Sequence, residues 1–157
     1  MIRPEFRWMV GLDMPDVIEI EEQTFPDPWT TRDLRRFVRQ RNSIALVALD
    51  RGWLVGYVFY TLSPDGIRIR RMAVAPSLRR KKIGRALITN LVAQCGNTAN
   101  LVIDVSEWHD DAHLFLRATG FIATGTHRDD KGNHVYEFTH KFASLARTPM
   151  DCGNQVP

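Results

Sequence analysis

The chain lacks most of what would set it apart from ordinary folded proteins. With only two cysteines, Cys95 and Cys152, among 157 residues, it has too few for a disulfide framework, and a reducing cytoplasm is the expected setting. No apolar run approaches the roughly 20 residues of a membrane-spanning helix, so no membrane is expected as a partner. Residues 1–10 carry Arg3, Glu5 and Arg7 among their apolar neighbours, which is not the pattern of a secretion signal. His109 and His113 stand four apart with no H-E-x-x-H pattern and no cysteine ligand beside them, so no metal site is expected. There is no G-x-S-x-G elbow, and neither cysteine sits in a recognisable nucleophile setting. Cys95 is instead expected to pack in the core. Without internal repeats or a dividing linker, the chain is expected to form one domain over residues 1–143. The polar, turn-rich stretch 144–157 is expected to be disordered.

A further absence is local. No acidic residue lies between Asp65 and Asp104, an interval that holds Arg68, Arg70, Arg71, Arg79, Arg80, Lys81, Lys82 and Arg85. Such a run is either a solvated face or a field that attracts phosphate. Its setting bears on the choice. An apolar segment ends at Pro76, the cations Arg79–Lys82 and Arg85 surround Gly84, and an apolar helix follows. Free N–H groups and the positive end of the helix dipole then share one place with the cations. A second group, Arg32, Arg35, Arg36, Arg39 and Arg41, is interleaved with Asp33. It suggests a nucleic-acid or ribosomal surface only weakly, and nucleic acid is not expected as the ligand.

Periodicity and turn chemistry give the order of elements. Residues 6–10 read as a strand. Asp13–Thr24 reads as a helix with Asp13 as its cap, Pro15 in its first turn and Val17, Ile20 and Phe25 on its apolar side. Pro26-Asp27-Pro28 breaks it, and Thr30 or Thr31 caps a second helix whose buried stripe is Leu34, Phe37 and Val38. Two strands, 43–49 and 53–61, flank the turn Asp50-Arg51-Gly52, with Trp53 expected in the core. Ser63-Pro64-Asp65-Gly66 is a turn, and 67–74 is a strand with Ile67, Ile69 and Met72 inward. A well-buried helix spans Ile83–Cys95. Residues 101–105 form a central strand, and Asp110–Ala118 a helix closed by Gly120. A last hairpin pairs 121–127 with 133–142. The order β-α-α-β-β-β-α-β-α-β-β predicts a mixed α/β (α+β) fold with helices on both faces of the sheet.

Three stretches carry a family resemblance. Ala73-Val74-Ala75-Pro76 followed by Arg79-Arg80-Lys81-Lys82-Ile83-Gly84-Arg85-Ala86-Leu87 resembles motif A, Q/R-x-x-G-x-G/A, of the GCN5-related N-acetyltransferases (GNAT). Leu114-Phe115-Leu116-Arg117-Ala118-Thr119-Gly120-Phe121 resembles their later helix ending in Gly-Phe. Phe25-Pro26-Asp27-Pro28-Trp29-Thr30 resembles the F-x-x-P-W-S/T entry of the RimI branch, the ribosomal-protein alanine N-acetyltransferases. The resemblance covers roughly residues 3–142. It implies a GNAT fold, a mixed sheet of about seven strands whose splayed central pair binds acetyl-CoA. The implied reaction moves the acetyl group to a primary amine, a protein or peptide N-terminus first among acceptors, including a ribosomal-protein N-terminus. A small amine, or a regulatory acyl-CoA-binding module, is the alternative. The protein would be a monomer or homodimer.

The same resemblance implies residue roles. The turn Arg79, Arg80, Lys81, Lys82, Ile83, Gly84 and Arg85 would hold the pyrophosphate. Met72, Ala73 and Val74 would line the pantetheine arm, with the Val74 N–H polarising the thioester carbonyl. His109 and Phe115 are further cofactor-contact candidates, although His109 replaces the family's asparagine and could instead cap its helix or lie at the surface. Asp104 stands where RimI-type enzymes carry a glutamate base. Being one methylene shorter, it would work through a water, unless neighbouring groups simply hold it in place. Lys82 replaces the first motif glycine, and Leu116 replaces the general-acid tyrosine, leaving Tyr136, Tyr57 or solvent to protonate the thiolate. Trp29 and Trp108 could line the acceptor groove.

Overall fold

A computed structural model describes residues 2–95 and 100–140. The tail from 144 onward, expected to be disordered, lies outside the described residues, as does the side chain of Cys95. Seven strands, β1 (Glu5–Trp8), β2 (Ser43–Asp50), β3 (Trp53–Ser63), β4 (Gly66–Val74), β5 (Asn100–Ser106), β6 (Phe121–Arg128) and β7 (His134–His140), hydrogen-bond in the order β1-β2-β3-β4-β5-β7-β6. Four helices, α1 (Met14–Thr24), α2 (Thr31–Val38), α3 (Ile83–Cys95) and α4 (Asp110–Ala118), complete the element order read from the sequence. The chain divides into two compact units. One runs to Leu62 and adds Arg70–Thr89; the other joins Ser63–Ile69 to the residues from Asn90 onward.

In the first unit β2 pairs antiparallel with both β1 and β3. Residues Val55–Thr61 of β3 are buried without interruption, the sign of a strand covered on both faces. One of those faces packs Val47, Tyr57, Phe59 and Ala73 against Val17 and Ile20 of α1 and Leu34 and Phe37 of α2. Thr30 caps α2: its Oγ1 accepts from the Asp33 N–H at 3.2 Å, and the Thr30 N–H donates back to Asp33 Oδ2 at 2.9 Å. This is the reciprocal capping box. Three expectations change here. Asp13 makes no side-chain cap to α1. Its carboxylate takes the Arg7 guanidinium at 2.7 and 2.9 Å and the Val10 N–H, and the Arg7 bond holds it below the usual carboxylate range. Val38 is exposed at the C-terminal end of α2, and Trp53 is 78% exposed because it opens β3 opposite Asp50.

In the second unit β5 pairs parallel with β4 from Gly66↔Asn100 to Ile69↔Ile103, and antiparallel with β7. Strand β4 continues from Arg70 to Val74 beyond that parallel ladder. Strand β6 lies outside β7, with a bulge between Ala123 and Gly125. Gly120, at φ 101°, closes α4 as the left-handed cap that glycine favours.

Gly66 begins β4 at φ 144°, and a Cβ there would stand 2.2 Å from the Asn100 carbonyl oxygen. Neither the backbone conformation nor the space admits a side chain. Gly66→Ala should therefore cost at least about 2 kcal/mol, read as a lower urea midpoint. Gly132, at φ 82°, has nothing within 4 Å of the place a Cβ would take, so Gly132→Ala should cost only about 1 kcal/mol.

Candidate active site

The cationic turn lies in the first unit, between β4 and α3. A short helical turn, Pro76–Leu78, leads into it. Arg80 and Lys82 adopt φ 64° and 67°, in the left-handed region, although neither is glycine. The Lys82 carbonyl accepts the first helical bond, from the Ala86 N–H at 3.0 Å, so Lys82 is the N-cap of α3. Left-handed residues inside a turn direct successive N–H groups inward as a nest for an anion, and the first N–H groups of α3 point the same way. A surface hollow of about 310 Å³ is bordered by Ile2, Arg80, Lys81 and Lys82. Arg80, Lys81, Lys82 and Arg85 are exposed, whereas Ile83 is buried and anchors the helix start. These features fit a pyrophosphate: concentrated positive charge, inward N–H groups and open space.

Arg79 is used differently. Its Nε donates to the Val74 carbonyl at 3.1 Å and its Nη2 to Thr24 Oγ1 at 2.8 Å, tying the end of β4 to the end of α1. Arg71, which the sequence shows only as one cation in a run, is drawn inward. Its Nη2 donates to Glu21 Oε2 at 3.0 Å and to the Asp27 carbonyl at 2.8 Å, and its Nε to Glu21 Oε1 at 3.1 Å. Its guanidinium lies 3.9 Å from the centre of the Phe25 ring, within cation–π range. Glu21 is fully buried; it also accepts the Trp29 N–H at 2.8 Å and the Tyr57 hydroxyl. The Pro26–Trp29 turn is thus fixed by one buried carboxylate and one arginine.

Trp29, suggested from sequence for the acceptor groove, is half-buried, its ring packing 5.4 Å from Phe37 and 6.0 Å from Phe59. Tyr57 cannot serve as a general acid, because burial, and then the Glu21 charge, push its hydroxyl far above the usual tyrosine value, and its proton is held by Glu21.

Asp104 lies in the second unit, on β5 between half-buried Ile103 and buried Val105. Its own side chain is 37% exposed, with Oδ1 3.4 Å from Arg68 Nη1. Leu116 is buried in α4 and carries no proton to give. Tyr136 neighbours Glu137 on β7, and Glu137 is paired with Asp104, so alternation puts Tyr136 on the opposite face from Asp104. The Tyr136 ring meets His113 edge-on at 5.3 Å. His109 stands at the N-cap of α4 without a side-chain cap bond and stacks on Trp108 at 5.0 Å. Met72 and Val74 are half-buried, Ala73 is buried, and Phe115 is half-buried on α4. Among the described residues no three His, Cys, Asp or Glu side chains gather as a metal would require, and no helix is long and apolar enough to cross a membrane.

The network around Glu21 and the strain in the turn each make a prediction. Arg71→Met leaves the Glu21 charge unanswered in the core and should cost about 3–5 kcal/mol, whereas the double change Glu21→Met and Arg71→Met should cost clearly less. Denaturant unfolding of the three variants checks this. A left-handed non-glycine residue costs roughly 1–2 kcal/mol. Lys82→Gly should accordingly raise stability by about 0.5–1 kcal/mol after glycine's own entropic cost, while Lys82→Ala should leave it unchanged.

Comparison with known proteins follows the same geometry. No curated protein sequence matches the chain. Among solved structures, the ribosomal-protein-S18-alanine N-acetyltransferase from Escherichia coli superposes with a TM-score of 0.75 at 17% identity, covering 87% of this chain and 92% of that one. NAA60 from Arabidopsis thaliana in complex with acetyl-CoA gives 0.72 at 16%, covering 87% and 98%. An aminoglycoside 6'-N-acetyltransferase complexed with coenzyme A gives 0.71 at 13%, covering 86% and 95%. At such identities these likenesses establish the fold. The model of the acetyltransferase (GNAT) family matches residues 14–121, most of the chain, and the protein therefore belongs to the GNAT acetyltransferases.

Proposed function

We propose that this acetyltransferase acts on the N-terminal amine of a protein or peptide, with Asp104 as the base that takes the amine's proton through a water. The observation that carries the reading is the state of Asp104. It is an ionisable side chain on a central strand, it reaches solvent, and its closest ion-pair contact, Arg68 Nη1 at 3.4 Å from Oδ1, leaves the carboxylate open to water. The Pro-Trp entry resembling the RimI branch, held by Arg71 and Glu21, supports a peptide acceptor rather than a small amine.

When bound, acetyl-CoA supplies the acetyl group as a thioester. The N–H groups around Arg80–Arg85 and the exposed Arg80, Lys81 and Lys82 would hold its pyrophosphate. Met72, Ala73 and Val74, on the part of β4 beyond the β5 ladder, would line its pantetheine arm, and the Val74 N–H would stabilise charge on the carbonyl oxygen. His109 and Phe115 would flank the arm. Asp104 accepts the proton that the amine loses as the new C–N bond forms and the C–S bond breaks. No tyrosine proton is assigned to the departing thiolate. A thiol with a pKa of about 8.5 leaves tolerably as its anion, so solvent can protonate it.

Coenzyme A at millimolar concentration should raise the melting temperature, and Lys82→Ala should reduce that shift; no shift at all would remove the cofactor assignment. Acetyl-CoA with an Ala- or Ser-starting peptide should release free thiol. Asp104→Asn should lower kcat about 100-fold or more with the KM for acetyl-CoA little changed. Faster turnover of small amines than of any peptide would favour the small-amine alternative.

A further inference from the structure

Three charged side chains from three strands meet on one face of the second unit. Asp104 on β5 and Glu137 on β7 stand directly opposite in the antiparallel ladder, and Arg68 on β4 pairs with Val102, two residues before Asp104. Successive side chains alternate between faces, so the register alone brings Arg68, Asp104 and Glu137 together. Arg68 reaches both acids, with Nη1 3.4 Å from Asp104 Oδ1 and Nη2 3.4 Å from Glu137 Oε2. Glu137 is held from its far side. Its Oε1 accepts from Thr124 Oγ1 at 3.2 Å, and Thr124 Oγ1 also lies 3.0 Å from Thr139 Oγ1. Thr124 is the extra residue of the β6 bulge.

Stability does not account for this arrangement. Like charges directly opposite on neighbouring strands are destabilising. Arg68, Asp104 and Glu137 are each about one-third exposed, and ion pairs so open to water contribute at most about 1 kcal/mol. The arrangement does, however, determine how Arg68 can bind. An arginine beside a single carboxylate tends to take both oxygens with its fork. Here Glu137 draws one arm of the fork, Nη2, and Asp104 the other, Nη1, so the guanidinium is shared between the two acids.

We propose that Glu137 is a positioning residue for the base: pinned by Thr124, it draws Arg68 aside and keeps the guanidinium from closing over the Asp104 carboxylate. This inference rests on Asp104 being the base. Glu137→Gln removes the competing charge and lets Arg68 fork onto Asp104, which masks the carboxylate that must receive the proton.

The test is steady-state kinetics with acetyl-CoA and an Ala-starting peptide. Glu137→Gln should lower kcat about tenfold with the KM for acetyl-CoA unchanged, and Glu137→Asp should recover much of the loss. Adding Arg68→Gln to Glu137→Gln should restore kcat to within about threefold of the parent, because no fork remains to mask Asp104. A merely structural role predicts the opposite, a double variant at least as impaired as the single one. The inference is overturned by unchanged kcat in Glu137→Gln, or by a double variant no faster than Glu137→Gln. Should Glu137→Gln fail to fold, Thr124→Val tests the same hold on Glu137 from the exposed edge strand; a several-fold loss of kcat supports the inference and no loss overturns it. Full activity in Asp104→Asn would instead remove the base assignment itself. An inactive Asp104→Asn beside a fully active Glu137→Gln would remove only the positioning role.

Discussion

A carboxylate shut away from water must have its charge answered by its neighbours, and the first unit is organised around one such group. Glu21 lies fully buried on α1. Its partners come from β3 (Tyr57), from β4 (Arg71) and from the backbone at Trp29. Removing any one of them leaves a desolvated charge or donor, a far larger penalty than the net gain of an ordinary hydrogen bond. The helix, two strands and the Pro-Trp turn are thereby committed to one arrangement. Arg79 adds a second tie between the same helix and strand, through Thr24 and the Val74 carbonyl. The cationic turn is thus anchored at its start, and buried Ile83 anchors its end.

What the sequence made legible is what local chemistry determines. Helix α3 has the expected bounds because an apolar run follows the cationic turn, and α4 because Gly120 ends it. Both hairpins follow from Asp50-Arg51-Gly52 and Asp129-Asp130-Lys131-Gly132, where glycine adopts positive φ. The family resemblance rests on such local stretches too. The illegible part consists of pairings between residues distant in sequence. Arg68 and Arg71 belong, as letters, to the same basic interval as Lys81 and Lys82. They differ because Glu137 and Glu21, far along the chain in either direction, lie within reach of their guanidinium groups. Helical periodicity puts Glu21, four residues from Val17 and from Phe25, on the apolar face of α1, but nothing local names the cation that answers it. Likewise Arg80 and Lys82 hide their left-handed backbone, since only glycine would have advertised it.

Two kinds of arginine therefore coexist in one basic segment. Arg71 and Arg79 are structural, with nearly every reach of their guanidinium groups assigned to named oxygens. Arg80, with Lys81 and Lys82, stays at the surface around an open hollow. Charge counting treats them alike, yet the Arg71 charge is answered by Glu21, whereas Arg80, Lys81 and Lys82 remain turned to solvent. The replacement of a motif glycine by Lys82 keeps the backbone shape that glycine would have supplied, at the cost of strain, and adds an ammonium group there.

The division into two units has a consequence for how this chain can be cut. Each unit is made of two separate lengths of chain, and the boundary is crossed at Leu62, at Ile69 and again at Thr89. The excursion Ser63–Ile69 is far too short to fold alone, yet it supplies the strand against which Asn100–Ile103 pairs. No single cut therefore yields either unit as one continuous segment, and the chain from Asn90 onward, taken alone, would leave β5 without its parallel partner.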